Sequence, residues 1–88
     1  MTLKELHLKL KSLNIPEDQY CLHGLFGSAN DDEKLSITIR KKKYNYEYEV
    51  YYKERGLRSF SRIFNSEEEA TVYFYNQIRQ DFNLPSLS

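Results

Sequence analysis

The sequence predicts one α+β domain, a three- to four-stranded antiparallel meander sheet with an N-terminal and a C-terminal helix packed on one of its faces. Three observations predict it. Leucines recur at three- and four-residue spacing near the start, apolar and polar residues alternate through the middle third, and helical spacing returns after Ser66. The 88 residues leave room for a single core, because two domains would each fall near the roughly 40-residue limit for unaided folding.

Thr2 and Glu5 form a capping-box pair, in which hydroxyl and carboxylate each satisfy a backbone N–H that the first helical turn leaves unpaired. Leu3, Leu6, Leu10 and Leu13 then draw one apolar stripe. Asn14 and Ile15 before Pro16 stop this helix, expected over residues 3–13, since the residue preceding proline is pushed out of the α region. After a turn, a first strand is expected over 20–25, broken by Gly27 and a polar cluster from Ser28 to Asp32.

From Lys34 the period becomes two. Leu35, Ile37 and Ile39 take one side of a strand over 34–41, and Tyr46, Tyr48, Val50 and Tyr52 the same side of the next, over 46–53. Two turns satisfy this pattern, setting Arg40 opposite either Glu47 or Glu49. Glu54, Arg55 and Gly56 read as a three-residue hairpin loop closed by glycine, which would place Phe60 opposite Val50 in a fourth strand over 57–64. Arg58 and Arg62 share parity with Phe60 there, so a bulge is expected to re-aim them. Ser66 and Glu69 form a second capping pair. A last helix is expected over 67–82, with Ala70, Tyr73, Phe74, Ile78 and Phe82 facing inward, until Asn83 and Pro85 end it.

Composition narrows the function. Thirteen Lys and Arg balance thirteen Asp and Glu, so the surface as a whole is not built for nucleic acid or anionic lipid. Residues 1–13 interleave leucines with Lys4, Glu5, Lys9 and Lys11 and lack the apolar run of a signal peptide. No stretch reaches membrane-spanning length either, so a cytoplasmic protein away from membranes is expected. One Cys and two His are too few for a closed four-ligand zinc site, and neither a P-loop nor a dinucleotide glycine pattern occurs. The expectation is a protein with no enzymatic activity, no metal, no cofactor and no small-molecule substrate. A homodimer stays open.

Three constellations are candidates. Cys21 and His23 lie two residues apart and could form a thiolate–base pair, although a small buried cysteine beside a rim histidine is the simpler reading. Arg40, Lys41, Lys42 and Lys43 adjoin Tyr44 and Tyr46, a basic and aromatic tip that could grip single-stranded nucleic acid. A solvated hairpin tip that blocks edge association is the simpler reading of it. Tyr46, Tyr48 and Tyr52 are expected to face the core, whereas Tyr51 shares the opposite face with Glu47, Glu49 and Lys53. On an open sheet face such a tyrosine reads either as a protein-interface anchor or as a merely exposed side chain. The acidic run Asp31, Asp32 and Glu33 is expected to be solvated.

The string Ile15-Pro16-Glu17-Asp18-x-Tyr20, the strand ending Val50-Tyr51-Tyr52-x-Glu54-Arg55-Gly56, and Phe64-x-Ser66-Glu67-Glu68-Glu69-Ala70-x-x-Tyr73-Phe74-Tyr75 resemble the small immunity proteins of bacterial polymorphic-toxin and contact-inhibition loci. The chain departs from that pattern in carrying tyrosines where tryptophan often precedes the Glu-Arg-Gly turn, and Ala70-Thr71 where Ala-Cys is common. The resemblance implies a cytoplasmic antidote that binds and occludes a cognate toxin domain. The interface candidates are Arg55, which the hairpin would either present outward or fold back on the sheet or on Glu54, with Tyr51, Lys53, Glu49, Glu47, Arg40, Lys42 and Lys43.

Overall fold

In the computed structural model, which describes residues 1–81, the chain is an α+β domain: a five-stranded sheet with a helix at each end of the sequence. Helix α1 (Leu3–Ser12) begins on the expected box, Glu5 N–H donating to Thr2 Oγ1 at 3.1 Å and Thr2 N–H to Glu5 Oε1 at 2.9 Å. It ends where Asn14 turns left-handed at φ 61°. Helix α2 (Glu67–Asp81) begins on Ser66, whose Oγ accepts from Glu69 N–H at 3.1 Å. The predicted positions from Phe82 onward lie outside the described residues.

The sheet is mixed. Its strands β1 (Tyr20–Leu22), β2 (Phe26–Gly27), β3 (Leu35–Lys41), β4 (Tyr46–Glu54) and β5 (Leu57–Phe64) lie in the order β2-β1-β3-β4-β5, with β1 parallel to β3 and every other pair antiparallel. This corrects the pure meander and the single first strand over 20–25. His23 and Gly24 both take positive φ, at 55° and 71°, and fold β2 back onto β1. The chain must then reverse once more before β3, and that second reversal makes β3 parallel to β1. Gly27 is required at the end of β2, because a Cβ there would lie 2.6 Å from the Tyr20 carbonyl oxygen.

Between β3 and β4 the register sets Arg40 opposite Glu47, Ile39 opposite Tyr48, Ile37 opposite Val50 and Leu35 opposite Tyr52. The β4–β5 connection is shorter than expected. Glu54 pairs with Leu57, so only Arg55 and Gly56 form the turn, at φ 52° and 80°, the double positive φ that matches the twist of a two-residue hairpin. A register shift at Tyr52/Lys53 follows, which sets Phe60 opposite Tyr52 and Arg62 opposite Val50, instead of Phe60 opposite Val50. The bulge re-aims only one arginine: Arg58 joins Lys53 on the far face, while Arg62 stays on the helix side, stacked 5.1 Å from the Tyr73 ring.

The helices roof one face. Leu6, Leu10, Tyr20, Leu22, Ile37, Val50, Ala70 and Phe74 are fully buried there, and Tyr48, Tyr52, Phe60, Phe64 and Tyr73 pack around them. Tyr46 lies past the edge of that roof and is half exposed, a correction to its predicted inward packing. His7 of α1 closes the β2 edge, its ring stacked 5.0 Å from Phe26 and its Nδ1 2.9 Å from the Tyr20 hydroxyl.

Candidate protein-binding surface

The face of the sheet away from the helices carries Cys21, Ser36, Thr38, Arg40, Glu47, Glu49, Tyr51, Lys53 and, through the bulge, Arg58. It is not open. The segment 28–34 leaves the β2 edge, where Ser28 N–H donates to the Tyr20 carbonyl at 2.8 Å, crosses this face, and reaches β4, where Glu33 N–H donates to the Lys53 carbonyl at 2.9 Å. Asp31 is thereby set over Tyr51, whose hydroxyl donates to it at 2.6 Å. Tyr51 is 5% exposed and Glu49 4%, so neither is the accessible anchor that strand alternation alone predicts. The acidic run is likewise only partly solvated.

Most of the remaining candidates neutralise one another. Arg40 holds Glu47 at 3.1 Å through Nη2 and Glu49 at 3.0 Å through Nη1, and Lys42 stands 3.7 Å from Glu47. Arg58 donates to Glu49 at 2.5 Å while its guanidinium lies 4.1 Å from the Tyr51 ring centroid. Lys53 reaches Asp31 at 3.4 Å and Asp32 at 4.0 Å. Two guanidiniums therefore share one buried carboxylate, the geometry that makes breaking a charge pair costly. The hydroxyl of Tyr51, followed by Lys53, holds the Asp31 carboxyl below its ordinary range, and burial, followed by Asp31, pushes the Tyr51 phenol well above its own.

Two ends of the sheet stay available. At the β3–β4 tip, Tyr44 is 88% exposed and Tyr46 51%, with the Lys43 ammonium 5.3 Å from the Tyr44 ring. At the opposite end, Arg55 is exposed on its turn beside Leu57, and no ion pair holds it among the described residues. Of the eight candidates, Arg55, Lys42 and Lys43 are presented outward, Lys42 beside Glu47, whereas Arg40, Glu47, Glu49, Tyr51 and Lys53 are tied into an ion-pair and hydrogen-bond network that covers the sheet and in which Arg40 keeps part of its surface in solvent. Asp31 joins that network through a crossing loop that no local pattern announces, whereas the expected bulge does carry Arg58 to this face, where its pairing with Glu49 and Tyr51 is a tertiary contact.

The Cys21–His23 pair is not assembled as a nucleophile and base. Cys21 is buried on the far face, and His23 Nδ1 accepts from Ile39 N–H at 3.1 Å with the Thr38 hydroxyl 3.3 Å away, so it serves as an acceptor for the β3 backbone. Among the described residues no group of three His, Cys, Asp or Glu side chains is placed to hold a metal ion, and no helix is long and apolar enough to cross a membrane. Neither a protein-family model, a curated protein nor a solved structure matches this chain.

Proposed function

We propose that this chain is a non-catalytic binding protein of the immunity type, which neutralises a bacterial toxin domain by occupying its surface. One observation carries the binding part of the reading. The fold closes its own polar face with salt bridges yet leaves a tyrosine at 88% exposure on the β3–β4 tip beside Lys41, Lys42 and Lys43. Tyrosine brings large contact area at little entropic cost, and the neighbouring ammonium groups steer encounter toward an acidic partner. The toxin part rests on the resemblance of the strings around Pro16, Gly56 and Ser66, which here serve as a turn, a hairpin and a helix cap.

The test is co-expression with each candidate toxin domain from the neighbouring reading frames, scored by growth rescue and by co-purification. Rescue is expected, and Tyr44→Ala combined with Lys42→Glu and Lys43→Glu should weaken the complex about tenfold or more. No rescue and no complex would remove the reading. The same tip supports a second reading as a platform for single-stranded nucleic acid, favoured by the Lys43–Tyr44 stack. That reading requires salt-sensitive retention of an oligonucleotide, lost when Lys41, Lys42 and Lys43 all become glutamate.

A further inference from the structure

A cleft of about 650 Å³ opens at the end of the sheet opposite the lysine tip, between the helix-side face of β4 and β5 and the last turns of α2. Its floor is apolar and aromatic: Leu35 and Ile78 are buried in it, and Tyr52 and Phe60, directly opposite each other across β4 and β5, are half-buried. Its rim holds two carboxylates, Glu33 and Asp81, and neither makes an ion pair among the described residues. Lys34, the one cation on the rim among the described residues, is turned to the crossing loop, its ammonium donating to Ser28 Oγ and Asn30 Oδ1, both at 3.1 Å. Burial raises the Asp81 carboxyl above its ordinary range, with no cation among the described residues to offset it.

We infer that this cleft is a socket for the arginine side chain of a partner protein. Carboxylates over an aromatic floor match a guanidinium on two counts. Its planar fork pairs with carboxylates, and its weakly hydrated faces stack on rings, whereas an ammonium keeps its water more tightly. A metal ion fits poorly, since among the described residues no three His, Cys, Asp or Glu side chains are placed to hold one, and a hard cation seeks six or more oxygens. The volume admits the side chain with its flanking backbone. This site lies at the far end of the sheet from the lysine tip and does not rest on the antidote reading.

The experiment is an amide chemical-shift titration of the full chain with N-acetyl-arginine methylamide, compared with the citrulline analogue, which keeps the shape and lacks the charge. Saturable shifts at Leu35, Ser59, Phe60 and Gln77 are expected in the millimolar range for arginine, at least fivefold weaker for citrulline. They should be lost from Glu33→Gln/Asp81→Asn while the spectrum stays dispersed. Equal binding of citrulline, non-saturating shifts, or shifts confined to other acidic sites such as Glu67 to Glu69 would overturn the inference. So would concentration-dependent shifts of the cleft amides without ligand, which would mark a second copy there. The citrulline comparison uses the unmodified chain, so the outcome stands even where the double variant fails to fold.

Discussion

On the helix side of β3 and β4, Ile37 and Val50 lose all exposure beneath Leu6, Leu10 and Phe74; on the other side, Glu49 and Tyr51 lose nearly as much beneath a crossing loop and two arginines. The same strands thus bury alternate residues in opposite directions by different means. The first face is closed by apolar contact, which is non-directional and tolerates repacking. The second is closed by a few directional groups that must all be present, because each buried polar atom depends on its partner. A small domain that roofs one face with two helices can seal the other with charge, provided a bulge delivers the cation. Here the shift at Tyr52/Lys53 delivers Arg58.

The comparison breaks first at Ile37. Replacing it with alanine removes buried methylenes from a site with no exposure, and the expected loss is about 2 to 5 kcal/mol in a denaturant melt, largely independent of salt. A loss as small as that of a surface substitution would mean that the helices do not carry the stability of the sheet.

Glu49→Ala probes the other face. Both guanidiniums that converge on Glu49 are partly exposed, at 43% and 44%, so they can rehydrate, and the expected loss is about 3 kcal/mol, the low end for breaking a buried pair. Unlike the Ile37 loss, this one should shrink as salt is added, since the arginines reach solvent. A loss under about 0.5 kcal/mol would class the network with ordinary surface pairs.

How much of this is legible in the sequence follows from how local each cause is. Thr2 with Glu5, Asn14, and Ser66 with Glu69 act within one helical turn, so both helix starts and the first helix stop are readable from neighbours alone. The alternation from Leu35 to Tyr52 fixes which residues meet the core, and of the two admissible registers the structure takes Arg40 opposite Glu47. The parallel pairing of β1 with β3 and the burial of Tyr51 are decided by where residues 28–34 cross, a tertiary choice that Asp31 and Asp32 do not announce. Arg58 shows the same limit at the scale of one residue. Parity places it with Phe60 and the irregular strand signals a bulge, but only the position of the extra residue in β5 decides that Arg58 moves beside Tyr51 while Arg62 stays on the helix side.

Tyr51→Phe makes the finest distinction, because it deletes one oxygen and leaves the ring beneath Arg58. The lost hydrogen bond to a carboxylate should cost about 1 to 3 kcal/mol near neutral pH. The pH dependence identifies the cause. With the Asp31 carboxyl held below its ordinary value of 3.8, its contribution is complete above that pH and disappears as pH falls below it. With the Tyr51 phenol raised above its ordinary value of 10.0, its contribution is complete below that pH and is lost on going higher, where the unfolded chain ionises and the folded one resists. The phenylalanine variant lacks the second effect and has little of the first, because the Tyr51 hydroxyl is the main group depressing Asp31. The stability gap between the two proteins, measured by denaturant melts from pH 2 to 11, should therefore be widest between about pH 4 and 10 and narrow on both flanks. Tyr20, whose phenol burial also raises, is common to both chains and cancels from the difference. A gap constant with pH would show that the ring under Arg58, and not the hydroxyl on Asp31, seals this face.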